Sequence, residues 1–187
     1  VVTMVTRDDL SDGGAAHFAD TIRAIRRENG ESVKIEVLTS DFNGNDDSIQ
    51  TVLDAKPNVY NHNLETVERL TPEIRCNADY HCSLRVLAKA YEFTQGQIPV
   101  KSGLMVGLGE TDDEVVKTLR DLRGSNVTML TIGQYLPPSN SHWPLDRYVH
   151  PDTFEQWRLL ALDLGFTNVA SAPLVRSSYQ AEHLAQA

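Results

Sequence analysis

With 187 residues the chain suits one domain with a sizeable core. Its net charge of −9 and pI near 5.0 argue against nucleic acid or an anionic membrane as a general partner. No apolar run approaches the ~20 residues of a membrane span, no signal-peptide pattern opens the chain, and two cysteines, Cys76 and Cys82, are too few for a disulfide framework, so a cytosolic or organelle-matrix protein is expected.

Residues 1–6 already read as a strand, with no initiator Met and no turn before them. An unpaired apolar leading strand is an aggregation-prone edge, so further sequence is expected ahead of it; trimming by a few residues is the alternative. Asp12-Gly-Gly14 leads into a helix with Phe18, Ile22 and Ile25 on one face, stopped at Asn29-Gly30. A strand follows over 33–38, a helix over 47–55 and a short strand over 58–61. One helix is expected to begin over 64–70 and a better one spans 83–93.

Lys101-Ser-Gly-Leu-Met-Val-Gly-Leu-Gly-Glu110 is the stretch around which the rest is arranged. Leu104 to Val106 reads as a buried strand, and Gly107 and Gly109 permit a sharp turn. Thr111 with Glu114 forms a capping box, opening a helix that carries Val115, Leu119 and Leu122. A strand over 127–132, a loop from Leu136-Pro-Pro138, a helix from His150-Pro151 with Phe154, Trp157, Ala161 and Leu164 on one stripe, and a short strand over 168–171 complete the pattern. Strand–helix units of roughly thirty residues imply a parallel α/β sheet. A closed barrel needs about 250 residues, so a partial TIM barrel is the preferred fold and an open doubly wound sheet the second choice.

Polar clusters end nearly every strand: 6–9, 39–41, 61–65, 107–110 and 134–135. Strand C-termini converge on the rim used for catalysis in barrels. The plain alternative is that loops are polar anyway and carboxylates cap helices. Lys101 and Glu110 are the first candidates. Lys101 reads either as a functional amine or as half of a buried ion pair with Glu65 or Asp41. His62 reads as a hydrogen-bonded packing histidine, and none of the six histidines has metal-ligand spacing.

Residues 6–14 (Thr-Arg-Asp-Asp-Leu-Ser-Asp-Gly-Gly), 61–66 (Asn-His-Asn-Leu-Glu-Thr), 101–110, 133–136 (Gly-Gln-Tyr-Leu) and 175–179 (Val-Arg-Ser-Ser-Tyr) together resemble the lipoyl synthase family of radical S-adenosylmethionine enzymes, in order and over essentially the whole chain. The resemblance implies a (β/α)6-type partial barrel whose first strand and helix are missing here, with a barrel section over 1–172 and a tail over 173–187. It implies radical insertion of two sulfur atoms into an octanoyl-lysine, with S-adenosyl-L-methionine and two 4Fe-4S clusters in the intact protein, the auxiliary cluster giving up its sulfur. The partners it implies are octanoylated lipoyl carrier domains (2-oxo acid dehydrogenase E2 subunits and the glycine cleavage H protein) and an electron donor such as ferredoxin or flavodoxin.

The family's two cysteine triplets are absent from this chain, and Cys76 and Cys82, on a helical connection expected away from the rim, cannot replace them. The chain alone is therefore expected to be inactive and to hold no stable cluster. By the same resemblance Ser178, with Ser177 second, is the metal ligand left for the auxiliary cluster, and Arg176 with Lys101 are the catalytic candidates. Asp8, Asn63, Glu65, Lys101, Gly107, Gly109, Glu110 and Gln134 are the cofactor-binding candidates. Two rivals stand: a barrel-type Schiff-base lyase using Lys101, and a non-catalytic subunit that completes a barrel supplied by another chain.

Overall fold

The computed structural model describes residues 1–178. Its elements are β1 (Val2–Thr3), α1 (Ala15–Asn29), β2 (Glu36–Leu38), α2 (Asp46–Asp54), β3 (Val59–Asn61), α3 (Thr71–Ile74), α4 (Tyr80–Thr94), β4 (Val100–Val106), α5 (Asp112–Gly124), β5 (Met129–Gln134), α6 (Pro151–Asp163) and β6 (Asn168–Ser171). All pairings are parallel, and the six strands lie in the order of the sequence, from β1 to β6. A doubly wound sheet reverses its strand order at a switch point. This sheet never reverses, so it is singly wound and left open: a partial barrel.

Strand alternation divides the sheet into two faces. Val37, Tyr60, Val100, Leu104, Val106, Leu130 and Ile132 join the helix residues Phe18, Ile22, Ile49, Leu87, Leu119 and Phe154 in one apolar core. The alternate residues Glu36, Asn61, Lys101, Gly103 and Thr131 face the other way, and most are polar. The core therefore lies between the sheet and its helices, while the inner face is free for polar work.

Local rules account for most helix ends. Thr111 accepts from the Glu114 N–H and Glu114 from the Thr111 N–H, the reciprocal cap expected for α5. Asn45, Asp79 and His150 cap α2, α4 and α6. The leading strand is shorter than expected, and β5 begins two residues later than the predicted strand.

The helix expected over 64–70 does not form there. Glu65 instead bridges to Leu104, its N–H donating to the Gly103 carbonyl and its own carbonyl accepting from Met105. The chain turns at Glu65 on this single bridge, and helix begins only in a 3-10 turn over Glu68–Leu70. Of the tail expected over 173–187, residues 173–178 fold back onto β5; Tyr179 and the remainder lie outside the described residues. Among the described residues no helix is long and apolar enough to cross a membrane.

Candidate functional site

Beyond the C-terminal ends of β1, β2 and β3 lies a cavity of about 680 Å³, walled by Asp8, Asp41, Asn63, Glu65, Arg75 and Cys76 among others. Its volume is that of small-molecule sites generally. The β1 side is shaped by a short polar loop. Arg7 and Asp9 pair at 2.6 Å, Asp12 accepts from the Gly14 and Ala16 N–H groups, and Asp8 accepts from the Asn43 side chain at 3.2 Å. Those two N–H bonds, Ala16 first, hold the Asp12 carboxyl below the usual range.

The β3 side is the most constrained part of the wall. Leu64 turns into the core with its N–H on the Ser102 hydroxyl, so its neighbours Asn63 and Glu65 are presented to the cavity. Glu65 takes φ +67, a left-handed conformation costly for a side-chain-bearing residue. Its carboxylate accepts from the Asn63 amide at 3.1 Å. Burial pushes the Glu65 carboxyl up, while the Asn63 bond and the Arg75 charge pull it back. The Asn63 side-chain oxygen is buried and has no hydrogen-bond partner among the described residues. Gly103 makes room for it: a Cβ there would meet Asn63 Oδ1 and Thr131 Oγ1 at 2.8 Å.

Leu38, Asn63 and Glu65 also wall a second cavity, of about 190 Å³, closed on its far side by Gly133, Val175, Arg176 and Ser177. Arg176 donates to the Val175 carbonyl at 2.7 Å, and Ser178 is exposed. Lys101 lies lower, as the second residue of β4, and is fully buried. The ion pair expected with Glu65 or Asp41 is made instead with Glu36, at 2.8 and 3.0 Å, because both side chains project from the inner face below the rim. The third ammonium hydrogen goes to the Ser177 carbonyl at 2.6 Å, so the amine has no free N–H.

Gly107, Gly109, Glu110 and Gln134 line neither cavity. The Glu110 carboxylate accepts from the Gly107 and Leu108 N–H groups at 2.8 and 2.9 Å, closing the turn on itself. Gln134 donates to the carbonyls of Val106, Tyr135 and Arg147 and accepts from the Val149 N–H, stapling the long loop after β5. Gly107, at φ +94, is required by both: a Cβ there would overlap the Gln134 amide and the Arg147 carbonyl.

Cys76 is exposed on the cavity wall, not away from the rim, because the helix before it is a single turn that ends at Ile74. Cys82 is half-buried in α4. Among the described residues no group of three His, Cys, Asp or Glu could hold a metal ion, so these residues do not fit a whole cluster site. His62 is the packing histidine expected, bonded to the Thr39 carbonyl and the Ser83 hydroxyl. Arg75 was not legible as a rim residue. It reaches the wall because the helix expected over 64–70 does not form, and its guanidinium donates to the Leu64 carbonyl at 3.1 Å.

Residues 1–122 match the family model of the Radical SAM superfamily. The chain is 53% identical over 182 residues to the lipoyl synthase of Halalkalibacterium halodurans, covering 97% of this chain and 59% of that protein. It is 55% identical over 183 residues to that of Syntrophotalea carbinolica and 54% identical over 183 residues to that of Escherichia fergusonii, covering 97% of this chain each time and 59% and 56% of the relatives. The chain thus spans somewhat more than half the length of these relatives. In fold it is similar to the crystal structure of methylornithine synthase, with a TM-score of 0.59 at 15% identity over 86% of this chain and 53% of that one. The chain belongs to the radical SAM superfamily, and within it is similar to the lipoyl synthases over nearly its whole length.

Proposed function

We propose that this chain is the barrel section of a lipoyl synthase, serving radical insertion of two sulfur atoms into a protein-bound octanoyl-lysine. The observation that carries the reading is the rim cavity, whose wall combines carboxylates, a guanidinium and the unpaired Asn63 oxygen in a chain similar to lipoyl synthases. S-adenosyl-L-methionine presents ribose hydroxyls, an ammonium and a carboxylate. The hydroxyls and ammonium are donors suited to Asp8, Asn63 and Glu65; the carboxylate suits Arg75. When bound to its reducing cluster, this cofactor supplies a carbon-centred radical that abstracts hydrogen. The chain's own residues bind and orient it. Gly107, Gly109, Glu110 and Gln134 serve in this reading by holding the rim, and Lys101 by holding its floor.

The described residues do not house either 4Fe-4S cluster. The chain would offer the auxiliary cluster one ligand, Ser178 with Ser177 second, beside the fixed charge of Arg176. The partners of this reading are octanoylated lipoyl carrier domains and a ferredoxin- or flavodoxin-type donor, in a cytoplasm or organelle matrix. The test is anaerobic reconstitution of the full-length protein with an octanoylated carrier domain, reductant and S-adenosylmethionine. The expected product is a carrier heavier by two sulfur atoms, present as the dithiol in reductant and lighter by two hydrogens once oxidised to the disulfide. Cleavage of S-adenosylmethionine with no such mass gain would overturn the reading.

A further inference from the structure

Segment 175–178 is held to the inner face of the sheet at two independent points. At Gly133 the backbone is not left-handed, so flexibility does not explain the glycine; space does. A Cβ there would overlap the Val175 carbonyl and lie 3.3 Å from the Arg176 guanidinium. Around this contact the Gln134 N–H donates to the Pro173 carbonyl at 3.2 Å, and the Val175 N–H to the Ala172 carbonyl at 3.0 Å. Two residues further on, the Ser177 carbonyl receives the third ammonium hydrogen of Lys101.

The chemistry of that second point is informative. A buried lysine needs a counter-charge, and Glu36 supplies it through both oxygens. Glu36 is fixed in turn by the Asn61 amide at 3.1 Å. The pair so formed still has one strong donor left, and that donor is spent on the backbone of the segment carrying the serines. Backbone recognition is indifferent to side-chain identity, so the serine hydroxyls are left free of the anchor.

We propose that Lys101, oriented by Glu36, and the notch at Gly133 form a seat that positions Arg176, Ser177 and Ser178 at the inner wall of the half-barrel. Lys101 is thereby a positioning residue rather than a nucleophile. The seat stands on the contacts alone; only the use of the serines rests on the function proposed above.

The experiment compares Lys101→Met and Gly133→Ala in the full-length protein, reading amide hydrogen exchange at single residues together with turnover. Each variant is expected to speed exchange of the Val175 amide about tenfold or more. The Tyr135 amide, just past the end of β5 and bonded to the Val106 carbonyl of β4, stays unchanged. Each is also expected to lower sulfur insertion more than cleavage of S-adenosylmethionine. If Lys101→Met does not fold, Glu36→Gln keeps the volume while removing the orienting charge and is read in the same way. Unchanged Val175 exchange in folded variants overturns the seat, as does equal acceleration at Val175 and Tyr135, which would mean general loosening. Selective acceleration with sulfur insertion intact upholds the seat and refutes the serine-ligand reading instead.

Discussion

His62 and Ser83 meet with the imidazole Nε2 2.9 Å from the hydroxyl oxygen, while Nδ1 lies 2.9 Å from the Thr39 carbonyl. A carbonyl can only accept, so Nδ1 carries the proton and Nε2 accepts from Ser83. The neutral ring thus ties the ends of β2 and β3 to α4 in the wall of the rim cavity.

That tie should make stability fall in mild acid. Burial pushes the His62 pKa down to about 4, below its ordinary value of 6.5. The unfolded chain then binds the extra proton first, so the contribution is full above the unfolded value and is lost as pH falls from about 6.5 towards 4. The loss is on the order of 3 kcal/mol. Glu65 works with the opposite sign, its raised pKa favouring the folded state at low pH. Urea unfolding of His62→Gln beside the parent isolates the histidine: the variant's stability should change less between pH 7 and 5. Equal slopes would refute the assignment.

Gly107→Ala should cost about 2–4 kcal/mol, because it combines a left-handed backbone with displacement of the Gln134 amide. Limited proteolysis should then cut within 136–150, the loop that Gln134 staples, before any other segment. First cleavage elsewhere would mean that the staple does not hold the loop.

Ser178→Ala in the full-length protein should lower sulfur insertion more than it lowers cleavage of S-adenosylmethionine. Parallel assays of deoxyadenosine release and carrier mass measure the two. Equal losses would rule out the serine as a cluster ligand.

The isolated chain should take up no stable cluster on anaerobic reconstitution, since it has two cysteines and, among the described residues, no three His, Cys, Asp or Glu that could hold a metal ion. Iron and sulfide analysis after desalting decides it, and near-stoichiometric cluster iron would overturn the expectation.

Much of the fold was legible because its signals are local. The cap between Thr111 and Glu114 spans one turn, and the stripe from Phe154 through Trp157 to Ala161 declares its buried face by spacing alone. Order along the sheet followed from strand–helix alternation, but singly and doubly wound sheets share that alternation, and only the pairings separate them. The place of Asp8, Asn63 and Glu65 on the cavity wall was readable from their position after strands. The Glu36–Lys101 pair was not, because its members stand 65 positions apart and nothing in the pattern fixes which strands bring charges to the same depth. Residues 64–67 misled because their apolar spacing suits a helix, whereas Glu65 takes a left-handed turn and bridges to β4. Arg75 and Cys76 were then displaced with them.

Neighbours along the sheet are also neighbours along the chain, and this bears on how the molecule comes apart. The pairing is most extensive between β4 and β5, with six registered residue pairs; β1–β2 and β3–β4 have two each, but the Glu65–Leu104 bridge reinforces the β3 side of β4 while β1 stands at the end of the sheet. Contacts of short sequence separation assemble early and rapidly, and thinly paired borders open first. The half-barrel should therefore melt as a gradient, unzipping from its β1 border while the β4–β5 centre persists, and the half of the rim carrying Asp8 should be the first to lose its shape.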